Sequence, residues 1–226
     1  MDNAVVESEH GVTLVGGAPV TGAALALALR HAPRLVAADG GADRALRLGH
    51  RPEAVIGDMD SLSDVARIQL AGRLHPMTEQ DTTDFDKALR RINAPFVLGL
   101  GFAGARLDHG LAVLNTLVRH PDRRCLLLTG QDVAFLAPPA LDLRLPVGSR
   151  LSLFPLGAVQ GQSEGLRWPI AGLRLATDGT IGTSNQVTAP VVRLRFDAPR
   201  MLVILPRARL GAVLGALALP SPVRGG

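Results

Sequence analysis

The sequence predicts an α/β domain joined to an all-β one: an N-terminal, mostly parallel open α/β sheet followed by a C-terminal antiparallel β-sandwich. Three observations predict it. From residue 11 to about 130, short wholly apolar runs alternate with longer helical patterns, as in parallel strands buried on both faces. After Gln131 the runs become short and alternating or β-branched, broken by Gly and Pro. Finally, the apolar runs of the first half finish in acidic or small residues, at LVAADGG (35–41), AVIGDMDS (54–61) and TEQDTTDFDK (78–87). An open sheet of this Rossmann-like kind presents its site at the carboxyl edge of its strands.

The expected strands of the first half are GVTLVG (11–16), RLVAAD (34–39), AVIGD (54–58), PFVLGLG (95–101) and RCLLLTG (124–130). Helical patterns fall between them at 20–31, 42–48, 62–72, 83–93 and 106–119. The helix at 83–93 has a good start, because Thr82 or Thr83 can cap it and acids in its first turn suit the helix dipole. In the second half, LDLRL (141–145) and VRLRF (192–196) alternate apolar and charged residues with period two, the mark of half-buried antiparallel strands. Six to eight strands are expected there, with the domains spanning 1–132 and 133–226 and a junction near Pro138-Pro139.

Composition narrows the function. The chain has 226 residues, 47% hydrophobic and 19% charged, which suits a globular protein with a real core. A pI of about 10.7 raises nucleic acid as a partner. Against it, the arginines are scattered singly or in pairs, Tyr is absent and aromatics make up 3%, leaving little on which bases could stack. Nucleic acid is therefore not expected. The single cysteine, Cys125, sits in an apolar run and reads as core. MDNAVVESEH has no apolar signal region, and LGAVLGALALP (210–220) is too short to span a bilayer. A cytoplasmic protein without membrane contact is the expectation.

The acids carry the chemistry. In GDMDS, Asp58 and Asp60 lie two apart, so an extended turn points both carboxylates to one side, Gly57 lets the backbone approach closely, and Ser61 can cap the next helix. Gathered with Asp39 and Asp84, they call for a hard divalent cation such as Mg²⁺, with Asp58, Asp60 and Asp84 as candidate ligands. Asp84 and Lys87 are three apart on a helix and can share a face. Lys87, the only lysine, suits phosphate contact. GLGFAG (99–104) formally fits a dinucleotide fingerprint, but no acid follows at the ribose-binding distance, so an NAD site is not expected. A phosphate-facing glycine turn is, with Arg106 and Asp108 beyond it. GGAPVTG (16–22) lacks the Lys and Ser/Thr of a Walker loop. His109 reads as a helix-surface or packed histidine.

ADGGA, GDMDS, Q-D-x-T-D-F-x-K-A-L, G-A-R-L-D-H, GLRWPI and G-T-S-N follow one another over residues 37–185. The ordered set resembles the thiamine pyrophosphokinase (thiamin diphosphokinase) family. The resemblance implies an α/β domain that binds ATP and Mg²⁺, a β-sandwich that binds thiamine, and a homodimer. It also implies transfer of the pyrophosphoryl group of ATP to the hydroxyl of thiamine, releasing AMP. Carried onto this chain, Asp58, Asp60 and Asp84 hold metal and, with Arg106, serve catalysis. Asp39, Gly40, Gly41, Lys87, Arg106 and Asp108 meet ATP, while Gln80, Asp84, Ser184 and Asn185 meet thiamine. Either Asp84 or Asp58 could take the hydroxyl proton. Asp43 stands where the family has Asn, and Met59 where it has an aromatic. No aromatic follows Ser184-Asn185, so Trp168 is left either to stack on the thiamine ring or to fill the sandwich core. Two other classes remain open on the residues alone: a metal-dependent glycosyl- or nucleotidyl-transferase using Asp58-x-Asp60, and a non-catalytic thiamine or nucleotide sensor.

Overall fold

A computed structural model of the chain describes residues 4–79, 81–104 and 106–220. It divides into two compact units, one built from the chain up to Thr116 and the other from Leu117–Leu219. The first unit contains β1 (Val6–Glu7), β2 (Val12–Val15), α1 (Gly22–His31), β3 (Arg34–Ala38), α2 (Gly41–Arg47), β4 (Ala54–Gly57) and α3 (Asp64–Gln69). It continues through β5 (Leu74–Pro76), α4 (Asp84–Arg91), β6 (Ile92–Asn93) and β7 (Val97–Leu100) to the start of α5 (Leu107–Arg119).

Its main sheet is wholly parallel, in the order β7-β2-β3-β4-β5. The chain winds outward from β2 through β3, β4 and β5, then returns to place β7 on the other side of β2. The winding reverses between β2 and β7, and the loops leaving their carboxyl ends diverge there. That divergence opens the crevice in which open α/β sheets bind ligands. Residues in β2, β4 and β7 are buried throughout, which explains why these strands read as unbroken apolar runs.

Local chemistry sets the element ends. Thr83 caps α4, its hydroxyl accepting from the Asp86 amide at 3.3 Å. Ser63, rather than the expected Ser61, caps α3, and Asp43 accepts from the Ser63 amide at 3.0 Å. This start shortens the helical pattern read at 62–72. The pattern read to residue 93 ends at Arg91, because Ile92–Asn93 pairs in parallel with Val6–Glu7 instead. The short strand β5 has too few residues, one of them Pro76, to register as a pattern.

The second unit contains β8 (Cys125–Leu128), β9 (Asp132–Leu136), β10 (Ala140–Arg144), β11 (Arg150–Pro155) and β12 (Gly161–Glu164). β13 (Gly182–Gln186), β14 (Val191–Phe196), β15 (Met201–Pro206) and α6 (Leu210–Ala216) complete it. The order β8-β9-β15-β11-β13 is antiparallel at every pairing, and β10-β14-β12 forms a second antiparallel sheet. The period-two pattern is obeyed: Leu141, Leu143, Val192, Leu194 and Phe196 face inward while the arginines and acids between them face out. RCLLLTG, read as a strand, forms β8 and pairs antiparallel with β9. The apolar 210–220 segment forms α6, burying Leu210, Val213 and Leu214 at helical spacing. Among the described residues, no helix is long and apolar enough to cross a membrane.

Candidate active site

The carboxyl ends of β2, β3, β4 and β7 and the start of α4 surround a cleft of about 580 Å³ in the first unit. Asp39 follows β3 directly. It adopts φ +41°, a left-handed conformation that Asp tolerates better than most residues. Its carboxylate is buried, and Oδ2 accepts from the Ser61 amide at 3.1 Å. Its Oδ1 is buried without a hydrogen-bond partner among the described residues. Burial, reinforced by the charges of Asp84 and Asp60, pushes the Asp39 pKa up to about 6 against the pull of its bonds to Ser61.

Asp58 and Asp60 flank Met59 in the turn after β4. Met59 is buried in a cluster with Ala37, Ala42, Val55, Leu62, Ala66 and Leu70, and takes φ +69°. A left-handed non-glycine residue costs about 1–3 kcal/mol, and burying a Met side chain returns about 1.5–3 kcal/mol. The inward methionine thus holds the turn and leaves both acids facing the cleft. An aromatic is unnecessary here; an apolar anchor of the right size suffices. The Asp60 amide donates to Asp58 Oδ1 at 3.3 Å.

Gly57 supplies the close approach that its place before two acids suggested. A Cβ there would lie 2.9 Å from the Asp39 Cβ and 3.0 Å from Asp84 Oδ1. Asp84 Oδ1 accepts from the Asp58 amide at 3.4 Å and from Lys87 Nζ at 3.2 Å. Lys87 is 1% exposed, and its ammonium also reaches Asp58 Oδ2 at 3.2 Å. Burial opposes the charge on Lys87, but Asp84 and Asp58 outweigh it and raise its pKa. Burial likewise pushes Asp58 up, while the Asp60 amide and the Lys87 ammonium prevail and hold it below the usual carboxylate range.

Four carboxylates thus line a cleft that holds one buried ammonium, which pairs with two of them. Ligand atoms of Asp39, Asp58 and Asp60 lie within 4.8 Å of one another, and Asp39 Oδ1 lacks a partner among the described residues. An all-oxygen donor set with a charge deficit and an orphaned buried carboxylate oxygen fits a hard divalent cation. The trio brings in Asp39, read from sequence as a nucleotide contact. Asp84, read as a ligand, lies beside the trio and shares Lys87 with Asp58. Lys87, read as a phosphate contact, is held between these two acids.

Beyond the acids, two glycine turns border the cleft. The Gly16 amide donates to Leu100 O at 2.8 Å and the Ala18 amide to Gly101 O at 3.0 Å. Gly101 has φ +74°, and a Cβ there would meet Gly16 O at 2.7 Å. The turn after β7 is therefore a site feature although the dinucleotide fingerprint is not, and its counterpart after β2 carried no recognisable signal. Gly40 and Arg106 line the cleft; Gly41 and Asp108 lie outside its lining. Arg106 and Asp108 form an exposed ion pair at 2.6 Å, and the guanidinium holds the Asp108 pKa down at about 2. His109 also lines the cleft. Gln80 lies outside the described residues.

The second unit carries the remaining sequence-marked residues. Ser184 is exposed at φ +60° on β13, and its amide donates to Ser152 Oγ at 3.0 Å. Asn185 is buried. Its Oδ1 accepts from the amides of Trp168 at 3.2 Å and Gln186 at 2.8 Å, and its Nδ2 donates to Trp168 O at 2.7 Å. Asn185 is thus a clamp on the backbone of Trp168. The indole is 54% exposed, outside the core, with the Arg167 guanidinium 5.0 Å from its ring centroid.

Two family models match the chain: thiamin pyrophosphokinase, catalytic domain, over residues 25–127, and thiamin pyrophosphokinase, vitamin B1 binding domain, over residues 141–201. Thiamine pyrophosphokinase 1 of Arabidopsis thaliana is 29% identical over 209 residues, covering 77% of this chain and 78% of that protein. Thiamine pyrophosphokinase 3 of Oryza sativa is 29% identical over 216 residues, with 75% and 80% covered. The solved structure of thiamin pyrophosphokinase from Candida albicans superposes with a TM-score of 0.75 at 16% identity, over 91% of this chain and 94% of that one. At that identity the likeness speaks for the fold.

Proposed function

Because the chain belongs to the thiamin pyrophosphokinase family, we propose that its acid-lined cleft holds Mg-ATP and directs the β-phosphoryl centre to the hydroxyl of thiamine. The activity is that of an ATP-dependent diphosphotransferase. The observation that carries the site assignment is the trio Asp39, Asp58 and Asp60, with one buried carboxylate oxygen left unpartnered.

Asp39, Asp58 and Asp60 would hold the Mg²⁺. When bound, the ion supplies charge neutralisation and alignment for the triphosphate. Lys87 keeps Asp58 and Asp84 in place by neutralising them from below. The turns at Gly17 and Gly101–Phe102 and the guanidinium of Arg106 line the cleft and would meet the phosphates. The Arg106–Asp108 pair is exposed, so exchanging its carboxylate for phosphate incurs little desolvation. The hydroxyl oxygen of thiamine forms the new bond to the β-phosphorus, and the bond from that phosphorus to the bridging oxygen breaks. AMP leaves with the electron pair. Asp84 uses Oδ1 on Lys87 and the Asp58 amide, which leaves Oδ2 to take the hydroxyl proton. In a loose phosphoryl-transfer transition state a weak base suffices, since positioning and electrostatics carry most of the rate.

Thiamine is a cation, so the carboxylate-rich cleft also attracts the acceptor. In this reading the sandwich adds its thiamine contacts across a homodimer interface, the Trp168 indole offering an aromatic face and Ser184 and Asn185 contributing, Asn185 by fixing Trp168. A homodimer is part of the same proposal. Incubation with ATP, Mg²⁺ and thiamine yields AMP and thiamine diphosphate in equal amounts. ADP as the nucleotide product would overturn the assignment.

A further inference from the structure

Arg90 lies on α4 one turn beyond Lys87, behind the acids of the cleft. Its Nε donates to Asp86 Oδ1 at 2.7 Å, and Asp86 is 1% exposed. Its Nη2 pairs with Glu79 and reaches Thr82 Oγ1 at 3.4 Å. Thr82 in turn donates to Glu79 Oε1 at 2.6 Å. One guanidinium therefore ties Glu79 and Thr82 to a carboxylate fixed in the helix interior. The planar fork of arginine is suited to this and an ammonium is not.

Thr82 and Thr83 line the cleft wall just before Asp84. They place hydroxyl-bearing side chains beside that carboxylate, whereas the groups suited to phosphate are the glycine turn after β7 and Arg106. This chemistry suits the cationic acceptor. Asp39, Asp58 and Asp60 are placed by β3 and β4 and do not depend on these threonines.

We propose that Arg90, with Asp86 and Glu79, is a positioning device that sets Thr82 and Thr83, as residues facing the acceptor, from behind; this rests on the diphosphotransferase reading above. Loosening it misplaces the thiamine contacts and leaves the ATP and metal sites intact. Arg90→Gln is expected to raise KM for thiamine about tenfold, since misplacement by about an ångström is costly to a bound pose. KM for ATP should stay within about twofold, because a change confined to acceptor binding leaves the nucleotide contacts unaltered. Arg90→Lys should behave like Arg90→Gln, because it restores charge but not the fork. Glu79→Gln, a partly exposed position that tolerates folding, should shift KM for thiamine about threefold in the same direction. A role in folding alone would lower the active fraction and hence kcat, with both KM values unchanged. That outcome, or full rescue by Arg90→Lys, would overturn the proposal. If the wild-type protein released no AMP from ATP and thiamine, the diphosphotransferase reading would fail instead.

Discussion

Replacing Asp39 by asparagine separates the two effects of its buried carboxylate, one on stability and one on catalysis. Asparagine matches the side chain in shape, tolerates φ +41° and can still accept from the Ser61 amide. Only the charge is lost. In the metal-free protein that charge is unfavourable: burial, with Asp84 and Asp60 nearby, lifts the Asp39 pKa from 3.8 to about 6. The folded protein therefore holds a proton on Asp39 at pH values where the unfolded chain has released it. Stability falls as pH rises from about 4 to about 6 and is level above, and the full shift corresponds to about 3 kcal/mol as an upper bound. Water reaching the open cleft screens part of this, so Asp39→Asn should stabilise the metal-free protein at pH 7.5 by about 1–3 kcal/mol. It should also flatten this part of the pH dependence. Added Mg²⁺ should stabilise wild type by mass action and the variant far less, and kcat for AMP release should fall by about two orders of magnitude or more. Urea unfolding in EDTA and in Mg²⁺ at pH 4.5 and 7.5, with a turnover assay, measures all four. A variant less stable than wild type in EDTA at pH 7.5, or equal stabilisation of both proteins by Mg²⁺, would refute the argument.

Gly57→Ala places a methyl against Asp39 and Asp84. It should cost about 1–3 kcal/mol by overpacking and suppress turnover well beyond its loss of folded protein, as read by unfolding and AMP release together. Lys87→Met removes the cation shared by Asp58 and Asp84. Because both acids retain some solvent, the cost should be about 3 kcal/mol. Without the ammonium the Asp58 pKa rises, so the acid limb of the kcat/KM profile should move to higher pH; an unmoved limb would dissociate Lys87 from Asp58. Asn185→Ala strips three hydrogen bonds from a buried clamp and should destabilise the protein by about 1–3 kcal/mol. Trp168 is the sole tryptophan, so its emission and anisotropy report directly whether the indole loses its fixed setting.

Much of the fold was legible because its signals are local. The unbroken apolar runs of β2, β4 and β7 mark strands covered on both faces, and the period-two pattern of β10 and β14 marks half-buried ones. What failed was decided by pairing. Ile92–Asn93 leaves the helix because β1 offers a ladder, and β5 exists because β4 has an open edge. Each is a contact with a distant residue that no short window contains.

For the site, the sequence by itself determined the chemistry: acids placed just after buried strands, a glycine before the Asp58-x-Asp60 pair, and a lysine three residues beyond Asp84. The ordered motifs determined the family. Only the tertiary structure decided the division of labour. It buried Asp39 Oδ1 without a partner among the described residues, placed Lys87 between two acids, made Asn185 a clamp and tied Glu79 and Thr82 to Arg90. Those roles depend on burial and on ångström-scale separations between groups from different strands. A linear sequence records which groups are present, while charge balance and desolvation are properties of the space they share.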